Sequence, residues 1–252
     1  MSGRACTIRL LGHWRLDLDG KRAEVGSREQ RVTALLGLRG SQPRAAVAGT
    51  LWPDSTDVRA RANLRTSLHR LRDLDPGLVR AGRASVALGP QVLVDVWPLL
   101  DRLEQVERLP GFEGCHDLDG AVPRDPLDLH ACLATLAGPD LLPGWYDDWV
   151  LFERERLHHR RIRALEKIAA LLLERGDTAM ATCFAEEAVA LEPLLESAVA
   201  LVMRAGLDAG NTSAAIHAFQ KYRARLDAEL GIPPSRELVE LLATRPLARA
   251  RR

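Results

Sequence analysis

The sequence predicts a mainly α chain with a small β component, arranged as a mixed N-terminal third and an all-α remainder. Three observations carry that reading. Short alternating apolar and polar runs, separated by turn residues, fall within the first hundred residues and flank three helical stretches. Beyond Trp145 the pattern is almost continuously helical. The charge is divided as well. The formal net charge is +1, yet residues 1–100 hold 16 Lys/Arg against 9 Asp/Glu and the rest hold 19 against 25. A basic part joined to an acidic part is the footprint of a nucleic-acid module attached to a partner module.

The first strands are Thr7 to Leu11 and Trp14 to Leu18. The second alternates apolar with polar and runs into Asp19-Gly20, a hairpin signal. A short third strand ends at Val25. Ser27 reads as an N-cap with Gln30 three residues on, and Val32, Leu35, Leu36 and Leu38 follow at helical spacing until Gly40 closes the helix. After Pro43 a second helix spans Arg44 to Leu51, stopped by Trp52-Pro53-Asp54.

A third helix, Asp57 to Leu74, carries the main functional signal. At about 100° per residue, Ala60, Leu64, Leu68 and Leu71 form one narrow stripe that must face the core. The opposite face shows Arg59, Ala62, Asn63, Thr66, His69 and Arg70, with Arg61, Arg65 and Arg72 on its flanks. Arg can bond guanine in bidentate fashion, Asn can do the same to adenine, and Thr can meet a thymine methyl. The alternative is a solvated basic helix. Its position as the last of three short helices favours a groove-reading role. A hairpin follows: Leu78-Val79-Arg80, a turn at Ala81-Gly82-Arg83, then Ser85 to Leu88 and Gly89-Pro90. Strands, three helices and a hairpin are the element order of a winged helix-turn-helix, in which the Arg-bearing turn is the wing.

Residues 98–143 are less regular. Helices are expected over Leu99–Leu109 and Leu127–Leu136, among turns at Pro110, Gly111, Gly114, Gly120, Pro123 and Pro126. Further on, Gly176, Ala181, Ala185 and Ala188 recur as Gly210, Ala215, Phe219 and Tyr222, each displaced by 34 residues (210 − 176). That is the period of tetratricopeptide helix pairs; an ordinary bundle predicts nearly the same core without the fixed spacing. Pro193 closes the first unit, Gly231 to Pro234 the second, and a last helix is expected from Ser235 to Leu242. Surfaces of this kind bind proteins and peptides more often than they catalyse.

Composition excludes several classes. A hydrophobic content of 46% suffices for a buried core in 252 residues. The four cysteines (Cys6, Cys115, Cys132, Cys183) show no metal-ligand spacing, so neither a zinc site nor a disulfide framework is expected, and a reducing cytoplasm is. No stretch approaches the roughly 18 apolar residues of a membrane span. Asp147, Asp148, Glu153 and Glu155 followed by His158-His159 make a carboxylate-rich patch of the kind an enzyme uses, but this spacing does not converge on one point. Trp145, Trp149 and Phe152 are expected to anchor that helix while its charges stay in solvent. No catalytic residue, cofactor or metal is assigned.

Longer strings carry a family likeness. Leu10-Leu11-Gly12, Leu51-Trp52-Pro53-Asp54 and ARANLRTSLHRLR (Ala60 to Arg72) resemble the DNA-binding domain of the Streptomyces antibiotic regulatory proteins. LLPGWYDDWVLFERERL (Leu141 to Leu157), AVALEPLLESA (Ala188 to Ala198) and YRARLDAELGIPPSREL (Tyr222 to Leu238) resemble that family's bacterial transcriptional activator domain. The resemblance implies an OmpR-type winged helix-turn-helix over 1–96, a tetratricopeptide-like activator domain over 97–244, and a basic disordered tail over 245–252. It also implies an activator that binds direct repeats near promoters as a homodimer, at least on DNA, recruits RNA polymerase holoenzyme and controls a biosynthetic gene cluster. The larger members' ATPase would need a GxxxxGK[ST] loop, which this sequence lacks, so it resembles the small members. Residues 116–128 match nothing in the pattern.

Carried over by position, base readout falls to Arg59, Asn63, Thr66 and Arg70, and phosphate contact to Arg65, His69 and Arg72, with Arg83 on the wing. Arg28 and Arg31 either touch phosphate or form a solvated face. A repressor shares all these features, and only the family likeness favours activation. A non-specific DNA-anchored interaction scaffold is the other alternative; a scaffold that has lost DNA binding would need a neutral or acidic outer face on the third helix, and that face is basic.

Overall fold

The structure is a computed structural model that describes residues 5–108 and 126–243. The chain forms two compact units, one of Met1–Asp101 with Gly138–Glu155, the other of Arg102–Ala137 with Arg156–Arg252. These cut the chain differently from the expected 1–96 and 97–244, because a segment after residue 137 returns to the first unit.

In the first unit, β1 (Cys6–Arg9), β2 (Arg15–Leu18) and β3 (Lys21–Arg22) form an antiparallel meander. The β2–β3 turn is made by Asp19 and Gly20, with φ of 50° and 75°. Positive φ at both positions matches the right-handed twist of a two-residue hairpin, as Asp-Gly predicts. α1 (Ser27–Arg39) follows, but Ser27 is not its cap: Gly26 holds that place and no side chain caps the helix. Gln30 Nε2 donates to the Val25 carbonyl at 2.7 Å, so the glutamine ties down the chain entering the helix. β4 (Gln42–Pro43), α2 (Arg44–Leu51) and α3 (Asp57–Leu74) come next, followed by β5 (Val79–Ala81) and β6 (Ser85–Leu88). β5 and β6 pair as the expected hairpin, with Val79 opposite Leu88 and Ala81 opposite Val86.

Two strands were not expected. β4 pairs with β6, and β7 (Val92–Val94) runs parallel to β1, giving sheets ordered β3-β2-β1-β7 and β4-β6-β5. Just past β7, the Asp95 carboxylate accepts the Leu10 and Leu11 amides at 2.7 and 3.1 Å. α1 lies close to this sheet at Gly37, where a Cβ would stand 3.2 Å from Leu10 Cδ1 and 3.3 Å from Val94 Cγ1. A side chain there would require Leu10 and Val94 to give way by a few tenths of an ångström.

The returning segment closes the unit. Leu11 and Leu141 form an isolated bridge, Gly12 donates to the Asp140 carbonyl at 2.7 Å, and Leu142 donates to Leu10 at 2.9 Å. Arg154 donates to the carbonyls of Leu141, Leu142 and Trp145.

The helices α4 (Trp97–Glu107), α5 (Pro126–Leu136) and α6 (Asp148–Glu174) lead into the second unit, where α7 (Thr178–Leu191), α8 (Glu196–Asp208), α9 (Thr212–Leu230) and α10 (Arg236–Ala243) follow. The 34-residue repeat reappears as turn geometry. Gly176 and Gly210 adopt φ of 79° and 77°, a conformation that costs glycine little. The Asp177 amide donates to Leu172 at 2.9 Å, and 34 residues on Asn211 donates to Gly206 at 2.8 Å. Asp177 and Asn211 then cap α7 and α9, accepting the amides of Met180 and Ala214 at 3.1 and 3.2 Å. Ala181 and Ala215 are both fully buried where helices meet. The last helix starts one residue later than expected, because Ser235 is its cap and accepts the Leu238 amide at 3.1 Å. Residues 109–125 and the tail 245–252 lie outside the described residues, and with them most of 116–128.

Candidate nucleic-acid interface

α3 is held by its apolar seam. Ala60, Leu64, Leu68 and Leu71 are each 3% exposed or less, and α1 and α2 pack beside the helix. Ser67 joins the seam, with its hydroxyl buried and unpaired among the described residues. Everything the sequence placed on the outer face is exposed except Asn63, which is half-buried.

The exposed side chains differ in what already holds them. Arg59 and Arg65 have no acidic partner among the described residues, so their guanidinium groups are free for an anion. Thr66 donates its hydroxyl to the Ala62 carbonyl at 3.1 Å. His69 and Asp73 stand 3.5 Å apart, one turn along, both in solvent. Arg61 makes a looser approach to Asp57 at 3.9 Å. Arg70 reaches Glu29 of α1, with Nη1 3.7 Å from a carboxylate oxygen that has no hydrogen bond and whose side chain is 5% exposed. Arg70 therefore supplies a counter-charge to a buried acid and shows the rest of itself to solvent. Glu29 folds back over the start of α1: a Cβ at Gly26 would lie 2.6 Å from its Oε2.

Arg72 donates to the Ala81 carbonyl at 3.1 Å, which fastens the end of α3 to strand β5. The Gly82 amide donates to the Ser85 carbonyl at 2.9 Å and closes the turn that exposes Arg83. Arg44, at the start of α2, donates to the Gly82 carbonyl at 3.3 Å. Arg44 and the exposed Arg80 on β5 are cations absent from the sequence assignment. No local pattern marks Arg44; the β4–β6 pairing, made by only two residues of β4, brings it to the turn.

Of the two arginines at the start of α1, Arg28 is exposed and Arg31 is engaged. Arg31 meets Asp147 at 2.7 Å and lies 5.9 Å from the centre of the Trp145 ring. The acid-rich stretch that raised the question of catalysis resolves into internal pairs. Asp147 holds Arg31, and Glu153, with a side chain 5% exposed, meets Arg39 at 2.8 Å. The expected anchors are corrected accordingly: Trp149 is buried, Phe152 is 65% exposed, and Glu153 is buried rather than solvated. His158 and His159 lie edge to face 5.9 Å apart, with His158 3.9 Å from Glu192. Among the described residues no three His, Cys, Asp or Glu side chains gather closely enough to hold a metal ion, and no helix is long and apolar enough to cross a membrane.

Residues 116–244 match the model of the bacterial transcriptional activator domain, about half of the chain. No curated protein sequence matches. Among solved structures the chain is similar to Mycobacterium tuberculosis EmbR, described in complex with a low-affinity phosphopeptide. The likeness has a TM-score of 0.68 at 19% identity and covers 97% of this chain and 67% of that one. At that identity it speaks for the fold: a small β component beside the first helices, then a helical array. With the domain match and this fold, the chain belongs to the bacterial transcriptional activator domain family, among the regulators of the Streptomyces antibiotic regulatory protein type.

Proposed function

We propose that this transcriptional activator reads promoter DNA with α3, binds direct repeats as a homodimer on the duplex, and recruits RNA polymerase holoenzyme through its helical unit to a biosynthetic gene cluster. The observation that carries the DNA-reading part is the outer face of α3. There Arg59 and Arg65 stand exposed without acidic partners among the described residues, flanking Asn63 and Thr66, over a seam buried to 3% exposure or less. Arg59 and Asn63 supply the donors and acceptors that base edges need, and the unpaired guanidinium group of Arg65 supplies phosphate contact. The hairpin turn with Arg83, supported by Arg44 and Arg72, serves as the wing.

Selection of random duplexes by the purified chain tests the reading, followed by affinity against salt on the winner. A pair of like-oriented half-sites is expected. Arg65→Ala should weaken binding to all sequences and reduce the salt slope by about 0.9, one phosphate's worth. Asn63→Ala should instead flatten preference at one base position. No enriched motif would sink the sequence-specific reading; a shifted preference in Arg65→Ala would invert the split between base and phosphate contacts.

A further inference from the structure

The second unit contains a groove of about 930 Å³ whose walls and floor come from three consecutive helices. Its floor is one face of α8 and the residue that caps it: Val199, Val202 and Gly206, then Ala209, all small or apolar. Gly206 lets α8 and α9 approach closely, since a Cβ there would lie 3.3 Å from both the Ala215 nitrogen and the Asn211 oxygen. One wall is α7, presenting Thr182, Glu186 and Ala190. The other is α9, presenting His217, Lys221 and Arg225.

The α9 wall has a pattern. Its three groups recur every four residues, so they form one line along the helix. Lys221 is exposed and has no partner among the described residues. Arg225 shares Glu229 at 3.1 Å, a solvent-exposed pair of little strength that an incoming carboxylate can displace. This basic line stands in a half of the chain where acids outnumber bases by 25 to 19. Opposite it, Glu186 is the one carboxylate among the described residues that line the groove. An apolar floor beside cations selects a ligand with apolar side chains and negative charge together. Duplex DNA offers the charge but no side chain for the floor, and a basic peptide would find only Glu186.

We propose that this groove binds an acidic peptide segment of a protein partner, its apolar side chains on the α8 floor and its carboxylates along Lys221 and Arg225. Nothing in this inference depends on DNA reading, and its test contains no DNA.

The probe is a fluorescein-labelled peptide of about eight residues, alternating Glu and Leu. In extended form that is long enough to follow α7, whose 14 residues span roughly 21 Å. Anisotropy is measured on the full chain. Saturable binding is expected, weaker for a peptide with Lys in place of Glu and weaker for one with Ser in place of Leu. Lys221→Glu with Arg225→Glu should lower affinity by about tenfold or more, and Glu186→Gln should keep or raise it. Circular dichroism checks that the variants fold, and Lys221→Gln, a milder change, should show a smaller loss in the same direction. Equal affinity for the Lys peptide, indifference to both Lys221 variants, or no saturable binding would overturn the proposal. So would self-association that the double variant abolishes, which would make the occupant a second copy of the chain.

Discussion

Helices α3 and α9 are nearly equal in length, 18 and 19 residues, and each carries a line of cations, yet their surroundings give those cations different work. On α3 they stand on an exposed face opposite one buried seam of Ala60, Leu64, Leu68 and Leu71. The face is braced from below: Arg70 against Glu29 of α1, Arg72 against the carbonyl of Ala81. On α9 the seam is thinner, with Ala215, Tyr222 and Leu226 buried, and the cations border an apolar floor provided by its neighbour. Basic residues at helical spacing do not by themselves distinguish the two situations. What lies beside the cations does, and that is a property of packing.

The bracing of α3 can be broken directly. Arg70→Ala removes the counter-charge from Glu29, which is 3% exposed, and a buried acid left so costs about 1–3 kcal/mol, reduced here because Arg70 itself is mostly in solvent. Glu29→Gln should be milder, and the double variant should lose less than the sum of the two, as read from denaturant midpoints. Strict additivity would mean that the two side chains do not interact. It follows that reversing Arg70 is a poor test of DNA contact, because it sets a second carboxylate beside Glu29. Asn63 and Arg65 are cleaner.

On the other side, the repeat predicts symmetry. Asp177→Ala and Asn211→Ala each remove a cap of the same geometry and should each cost about 1 kcal/mol, equal to within a few tenths. A large inequality in thermal unfolding would show that the two turns, alike in backbone, carry different loads.

The smallest effect sharpens the thin seam of α9. Burial, then the charge and hydrogen bond of Glu196, push the Tyr222 phenol up to about 12. Because the folded value is raised, its contribution to stability is fully present below the ordinary value near 10 and lost as pH rises through about 12. In an ultraviolet titration Tyr222 should ionise late, and Glu196→Gln should bring it down without restoring the ordinary value, since burial is the larger cause. An unchanged curve in that variant would remove Glu196 from the account.

Much of this was legible because much of it is local. Pro43, Trp52-Pro53 and the buried stripe of α3 bound α2 and α3 residue for residue as expected, since a helix end depends on a few neighbouring residues. The 34-residue repeat was legible for the same reason: Gly176 and Gly210 mark turns that only their own neighbours close. The cap of α1 was misplaced by one residue, because Ser27 and Gly26 compete for the position and the side-chain pattern ranks them wrongly. β4 and β7 were missed, being two and three residues long and existing only by virtue of partners far along the chain.

From the sequence alone came the fold class, the order and bounds of most helices, the basic face of α3 and the repeat, each set by contacts within a turn or two of chain. Tertiary structure alone decided that residues 138–155 return to the first unit, that Glu153 is buried while Phe152 is exposed, that Arg31 is occupied by Asp147, and that Arg44 joins the wing. The pairings behind these outcomes run from 38 residues apart, Arg44 with Gly82 (82 − 44), to 132, Leu10 with Leu142 (142 − 10). No local periodicity records which distant group will neutralise a charge, because that depends on how the packed elements bring it near.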